Sequence, residues 1–280
     1  MVKYTVFANF YIDTEERYLR MKDSFFSFYK SNVYDWNINI RGKYKNKVKI
    51  FLQENISKNL NIFFLESKKG WVFDTLNISN YFKTNIIFFW IEDHICIDSV
   101  SKINSVVAEM HQNKIDHLIY SFFHKGTYIN QLKAVNHEVK KNILFFRYGK
   151  KNYRNLKSWY KKENHTPSYL IAACSFMSLN LFKKNLSLSK IKKKYNPMLP
   201  FNFEKSFDEN KILPFNAGVL KKELFVSIDD NHGENGYCLI DRKLYPNRVC
   251  KNELDVIRKK KYKIFKTNTF FDKVKKILNF

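Results

Sequence analysis

From residue 4 to residue 122 the chain alternates short apolar runs with segments whose apolar residues return every three or four positions, without any internal sequence repeat. Residues 4–10 (YTVFANF) read as a strand. Asp13, Thr14, Glu15 and Glu16 then mark a helix start with acids in its first turn, and Tyr18, Met21, Phe25, Phe28 and Tyr29 follow at helical spacing. Further strands are predicted at 36–40, 60–65, 86–91 (IIFFWI) and 118–122, and helices at 45–54, 72–82 and 99–112. Such alternation predicts an α/β fold, a Rossmann-type, mostly parallel sheet flanked by helices. Runs this apolar suit strands buried on both faces. Parallel sheets of this kind take ligands beyond the carboxyl ends of their strands, where strand order reverses. The functional edge is therefore expected at residues 9–11, 41–43, 66–71 and 92–94.

The second half is less regular. A strand is expected at 143–148, a polar, basic loop or exposed helix at 152–164, an apolar turn and helix at 169–182, a proline-containing loop at 195–207 and a strand at 220–228. With 280 residues, 45% of them hydrophobic, the chain can bury a large core. We divide it into a domain of residues 1–250, its nucleotide-binding half about 1–125 and its acceptor half about 126–250, and a tail, 251–280. In the tail Phe270, Phe271, Val274, Ile277 and Leu278 form an apolar helical stripe beside Lys273, Lys275 and Lys276. This basic helical extension suits either an anionic membrane surface or packing on the domain. No run of 18 apolar residues occurs and the N-terminus lacks signal-peptide regions, which places the expected protein in the cytoplasm, peripheral to the inner face of the membrane if the tail binds there.

A net charge of +24 favours anionic partners. The basic residues are spread along the chain and no nucleic-acid motif stands out, so no specific nucleic acid is expected. Richness in Asn, Ile and Phe alongside Lys also matches the bias of an AT-rich genome. Cys96, Cys174, Cys238 and Cys250 are widely spaced, with no C-x-x-C pair, which argues against a structural zinc site or a disulfide framework.

The sharpest local feature is Glu92-Asp93-His94, directly after the apolar run at 86–91. Adjacent carboxylates repel and so favour a bound cation or a hydrogen-bonding ligand. Oxygen ligands suit Mg²⁺ or Mn²⁺, which bridge protein carboxylates to phosphates. The alternative is a solvated turn at the strand end. Lys68 and Lys69 either meet phosphate or stand in solvent. Arg41-Gly42-Lys43 ends a strand near a base or phosphate, or is a basic turn. Trp71 either stacks on a ligand or anchors the core. Residues 228–236 gather acids, His232 and two glycines in a turn-rich run. His124 and His165 have no evident partner.

Residues 4–10 with the helix after them, and the strand end Phe89-Trp90-Ile91-Glu92-Asp93-His94, resemble the nucleotide-binding half of GT-A glycosyltransferases, particularly family-2-like bacterial enzymes. Glu66-Ser67-Lys68-Lys69-Gly70-Trp71 resembles that family's glycine-containing loop, and residues 175–182 its acceptor-side segment. The acidic motif departs from Asp-x-Asp by having adjacent acids and then His. The resemblance implies a nucleotide-sugar donor, a glycan or lipid-linked acceptor as in bacterial surface polysaccharide synthesis, and a divalent cation (Mn or Mg). It implies Asp93, His94 and His232 as metal ligands. Asn9, Arg41, Lys69, Gly70, Trp71, Asp74 and Glu92 are the implied donor contacts. Glu204 is the implied base, with Glu92 and Asp93 as alternatives. The competing readings are a nucleic-acid-binding or peripheral membrane protein without catalysis, and another nucleotide-dependent transferase.

Overall fold

The apolar runs of the first half form strands as their pattern predicts. The computed structural model describes residues 1–119, 135–162, 174–189, 192–206, 209–229, 238–240 and 242–245. In it β1 (Tyr4–Tyr11), β2 (Val33–Arg41), β3 (Leu60–Phe63) and β4 (Ile86–Phe89) lie in the order β3-β2-β1-β4, all parallel. Between them run α1 (Glu15–Phe28), α2 (Lys45–Asn55) and α3 (Trp71–Ile78). The first begins where the Thr14 hydroxyl accepts the Arg17 N–H at 3.2 Å, with Glu15 and Glu16 meeting the positive end of the helix dipole.

Strand order dictates where the helices go. The chain steps outward from β1 to β3, then returns across the sheet to β4. Right-handed crossovers put α1 and α2 on one face and α3 on the other. Two aromatic cores result. Phe10, Phe25, Phe28, Trp36 and Trp90 interlock on the first face. Phe7, Trp71, Phe89, Phe182 and Phe203 do so on the second. Alternation along β1 sends Phe7 and Phe10 to opposite sides, as the two-residue period requires.

The remaining described elements are β5 (His94–Cys96), α4 (Val100–Gln112), β6 (His117–Ile119), β7 (Glu138–Val139), β8 (Ile143–Tyr148), α5 (Lys150–Lys162), β9 (Ser175–Ser178), α6 (Leu179–Leu188), α7 (Phe201–Lys205), α8 (Glu209–Ile212), β10 (Phe215–Leu220) and β11 (Phe225–Ser227). They extend the sheet as β4-β9-β6-β10-β8-β7. Strand β9 runs antiparallel to both neighbours and β6 pairs parallel with β10. The sheet is thus parallel through β4 and mixed beyond. The strand expected at 220–228 is two strands that belong to different sheets, because the chain leaves β10 at residue 221 and re-pairs at Phe225 with β5. The turn and helix expected at 169–182 include a central strand, β9, and the loop expected at 195–207 contains α7.

Strands β5 and β11 close a smaller core of Ile95, Ile97, Val226, Ile228, Leu239 and Tyr245. Polar ties lock it to the main body. The Tyr245 hydroxyl donates to Asp23 of α1 at 2.7 Å, and the Arg242 guanidinium grips both Glu223 oxygens at 2.8 and 2.9 Å. Among the described residues no helix is long and apolar enough to cross a membrane. His124, His165, His232 and the tail lie outside the described residues.

Candidate active site

Strand order reverses between β1 and β4, and the acidic turn leaves the sheet at that point. The turn is held from below. Trp90 is fully buried, and its indole N–H donates to the Ser24 hydroxyl of α1 at 2.8 Å. Ser24 in turn donates to the His94 carbonyl, and the Ile228 N–H donates to the Asp93 carbonyl at 2.7 Å. With its backbone so fixed, the turn leaves the Glu92 side chain 15% exposed and that of Asp93 31% exposed.

The two acids differ in electrostatic state. Burial, then the neighbouring Asp93, raises the Glu92 carboxyl to about 7, with Arg17 at 3.9 Å offsetting only part. Burial pushes Asp93 in the same direction, but His94 and Arg20 together outweigh it and hold Asp93 below its ordinary value. The His94 Nδ1 lies 2.5 Å from Asp93 Oδ1, and its side chain is 6% exposed. His94 therefore steadies Asp93 from inside the fold. Pairing of β5 with β11 imposes this burial, which sets His94 behind Asp93 and not beside it at the rim.

The linkage has a definite sign. Because its folded value lies above the ordinary 4.5, Glu92 holds its proton more tightly when folded. Its ionisation costs no stability below pH 4.5, an increasing amount up to about pH 7, and a constant amount above. Glu92→Gln removes that cost. We expect the variant to match the parent near pH 4.5 and to exceed it at pH 8 by about 1–3 kcal/mol in urea unfolding. An equal difference at both pH values would contradict the assignment.

On the same edge of the sheet, one strand beyond β1, Arg41 stands 5% exposed at the end of β2. Its Nε donates to Asn9 Oδ1 at 3.1 Å and its Nη1 to the Met198 carbonyl at 3.0 Å. Burial lowers its pKa, while the charges of Glu66, Asp74, Tyr11 and Glu92 oppose that shift. Asn9 also receives the Asn39 amide at 2.9 Å and donates to Thr75 at 3.2 Å. Asp74 is 2% exposed and accepts the Ser67 N–H at 3.0 Å, so it shapes the 66–70 loop from within. Gly70 has φ +88°, and the Trp71 N–H beside it donates to the Pro197 carbonyl at 2.8 Å.

Of the expected donor residues, Asn9, Arg41, Gly70 and Asp74 form one connected network at the strand ends. Trp71 is a correction to the ligand-stacking expectation. It is 2% exposed with its ring against Phe7, Phe89 and Phe203, leaving no face for a base. Lys68 and Lys69 stand exposed on the loop, the latter with its ammonium 4.4 Å from the Phe73 ring centre. Glu204 sits on α7, which docks through Phe203 and through the Asn185 amide on the Phe203 carbonyl at 3.1 Å. Sequence reasoning missed Asn39, Ser24 and the 197–198 segment. A buried asparagine at a strand end was the readable signal for the first of these.

Among the described residues no three His, Cys, Asp or Glu side chains converge as a metal site. Asp93 and Glu92 remain as two neighbouring carboxylates. That pair fits a Mg²⁺- or Mn²⁺-type ion that completes its shell with phosphate oxygens and water.

The class this geometry defines is an α/β protein with an acidic turn and a buried arginine at the strand-order switch. No protein-family profile matches the chain, and no curated protein matches it. Among solved structures it is similar to S. aureus TarS 1–349, with 14% identity and TM-score 0.47 over 80% of this chain and 60% of that one. It is also similar to a UDP-glucose pyrophosphorylase complexed with UDP-glucose, with 13% identity and TM-score 0.46 over 89% of this chain and 100% of that one. The chain thus spans 60% of the length of TarS 1–349.

Proposed function

We propose that the chain transfers a sugar from a nucleotide-sugar donor to a glycan or lipid-linked acceptor, with the donor diphosphate seated between the acidic turn and the end of β2. The observation that carries this reading is that the Glu92–Asp93 turn and buried Arg41 lie on the same edge of the sheet, at the ends of β4 and β2 on either side of β1, where strand order reverses. The sequence resemblance to GT-A enzymes, carried in part by the same strand end, agrees with it.

Each group has a defined task. Asp93, kept ionised by His94 and Arg20, is the anionic anchor of the site. Arg41 is fixed by Asn9 and Met198, so it meets a phosphate or ribose oxygen without reorganising. A divalent cation held by Asp93 and Glu92 would neutralise charge on the departing diphosphate. Glu204 takes the proton of the acceptor hydroxyl as it attacks the sugar carbon.

Glu204→Gln tests the assignment. We expect transfer to fall by about 100-fold or more while donor binding, measured by calorimetry, stays within about threefold. Transfer at the parent rate would remove Glu204 from the role. The product separates reaction classes, since sugar transfer releases a nucleoside diphosphate. Pyrophosphate released from a nucleoside triphosphate would identify a nucleotidyl transfer instead.

A further inference from the structure

At the opposite edge of the sheet, where β1, β2 and β3 begin, lies a cleft of about 300 Å³. Lys3, Tyr29, Tyr34, Asn55, Lys58 and Asn59 line it, with Trp36 among its inner residues and no carboxylate in the lining. Its walls are fixed. Asn59 holds a left-handed turn with φ 55°, donates its side-chain amide to the Tyr34 carbonyl at 2.9 Å, and accepts the Trp36 N–H on its own carbonyl at 2.8 Å. Tyr34 is 41% exposed, and the Lys3 ammonium stands 5.1 Å from its ring centre. Lys30 adds another cation 5.8 Å from the Tyr29 ring.

The chemistry of this lining is specific in combination. Tyrosine rings offer apolar surface beside a hydroxyl, which suits the mixed character of a sugar ring. The Asn55 and Asn59 amides already donate to the Phe51 and Tyr34 carbonyls, so their side-chain oxygens and the hydroxyl of Ser57, also in the lining, are what meets sugar hydroxyls. Lysines without a neighbouring carboxylate favour an anion, and the cation–π contact keeps Lys3 in place for it. The volume lies at the lower end for ligand sites, enough for one or two sugar rings. With eight residues in β1 at about 3.3 Å each, the cleft lies roughly 25 Å from the acidic turn. We propose that this cleft is a second binding site, for an acidic saccharide unit bearing a phosphate or a carboxylate, separate from the donor edge.

Calorimetric titration of the full chain with glucose 6-phosphate, glucuronate, glucose and inorganic phosphate tests this. Binding of glucose 6-phosphate or glucuronate is expected, with glucose and inorganic phosphate weaker by about tenfold. The stronger of the two acidic sugars names the source of the negative charge. Tyr34→Ala and Lys58→Gln, both at exposed positions, should each weaken that binding by about tenfold and leave nucleotide-sugar binding at the other edge unchanged. No binding would overturn the proposal. So would equal binding of inorganic phosphate, which means an adventitious anion only, or binding that neither variant alters. None of these outcomes depends on whether the acidic turn binds a donor.

Discussion

Asp93→Asn is expected to lower the proposed sugar transfer by about 100- to 1,000-fold and to leave the fold in place. The expected loss follows from the state of this carboxyl. His94 and Arg20 hold Asp93 ionised against the pull of burial, so the site carries a fixed negative charge before any ligand arrives. Asparagine keeps the shape and can still accept a hydrogen bond from His94, but it removes the charge. The variant is set against Glu92→Gln, where the expected change in stability has the opposite sign. Asp93, with its folded value lowered, contributes stability above its ordinary value of 3.8 that is lost as pH falls. Glu92, with its value raised, opposes stability at neutral pH. Asp93→Asn is therefore expected to melt slightly below the parent at pH 7, and Glu92→Gln above it. Transfer by Asp93→Asn within about threefold of the parent would remove the acidic turn from catalysis.

Gly70→Ala is expected to destabilise the chain by about 2–4 kcal/mol and to weaken donor binding at the same time. A methyl group there would meet the Pro197 carbonyl oxygen at 2.4 Å, on a backbone with φ +88°. Relief requires the Pro197 segment to move, which breaks the Trp71 N–H bond to it and carries the Met198 carbonyl away from Arg41. Stability and binding are thus coupled through one contact. Gly149→Ala is the control, because nothing lies within 4 Å of the added carbon. It should stay within about 1 kcal/mol of the parent. Urea unfolding of the three proteins, with donor affinity measured alongside, checks both statements. Equal stability of Gly70→Ala and parent would show that the 197–198 segment is not fixed as described.

The parallel half of the sheet was legible because β4 reads as an uninterrupted buried apolar run, β1 nearly so, and β2 through the alternation of Trp36, Ile38 and Ile40. Strand β9 was not. Ser175-Phe176-Met177-Ser178 is short and leads straight into the apolar helix that begins at Leu179, so its period is lost in that of the helix. What makes it a strand is pairing with β4 and β6 on either side, a tertiary effect. The site divides in the same way. Glu92 and Asp93 stand out because charge directly follows a buried run. The burial of His94 and Trp71 depends on β11 and α7, far along the chain, and no local pattern records it. The same holds for the 197–198 segment, which reaches Arg41 across 157 positions.

Thermal melting reads out whether the acidic edge binds a nucleotide sugar. The full chain is heated with UDP, GDP, CMP and their sugars, each with and without Mn²⁺. At a ligand concentration about 100 times the dissociation constant, binding adds about 2.7 kcal/mol and raises the melting temperature by several degrees. Such a shift is expected for at least one nucleotide sugar, and its loss in Asp93→Asn. No shift with any of them would contradict nucleotide-sugar binding at this edge.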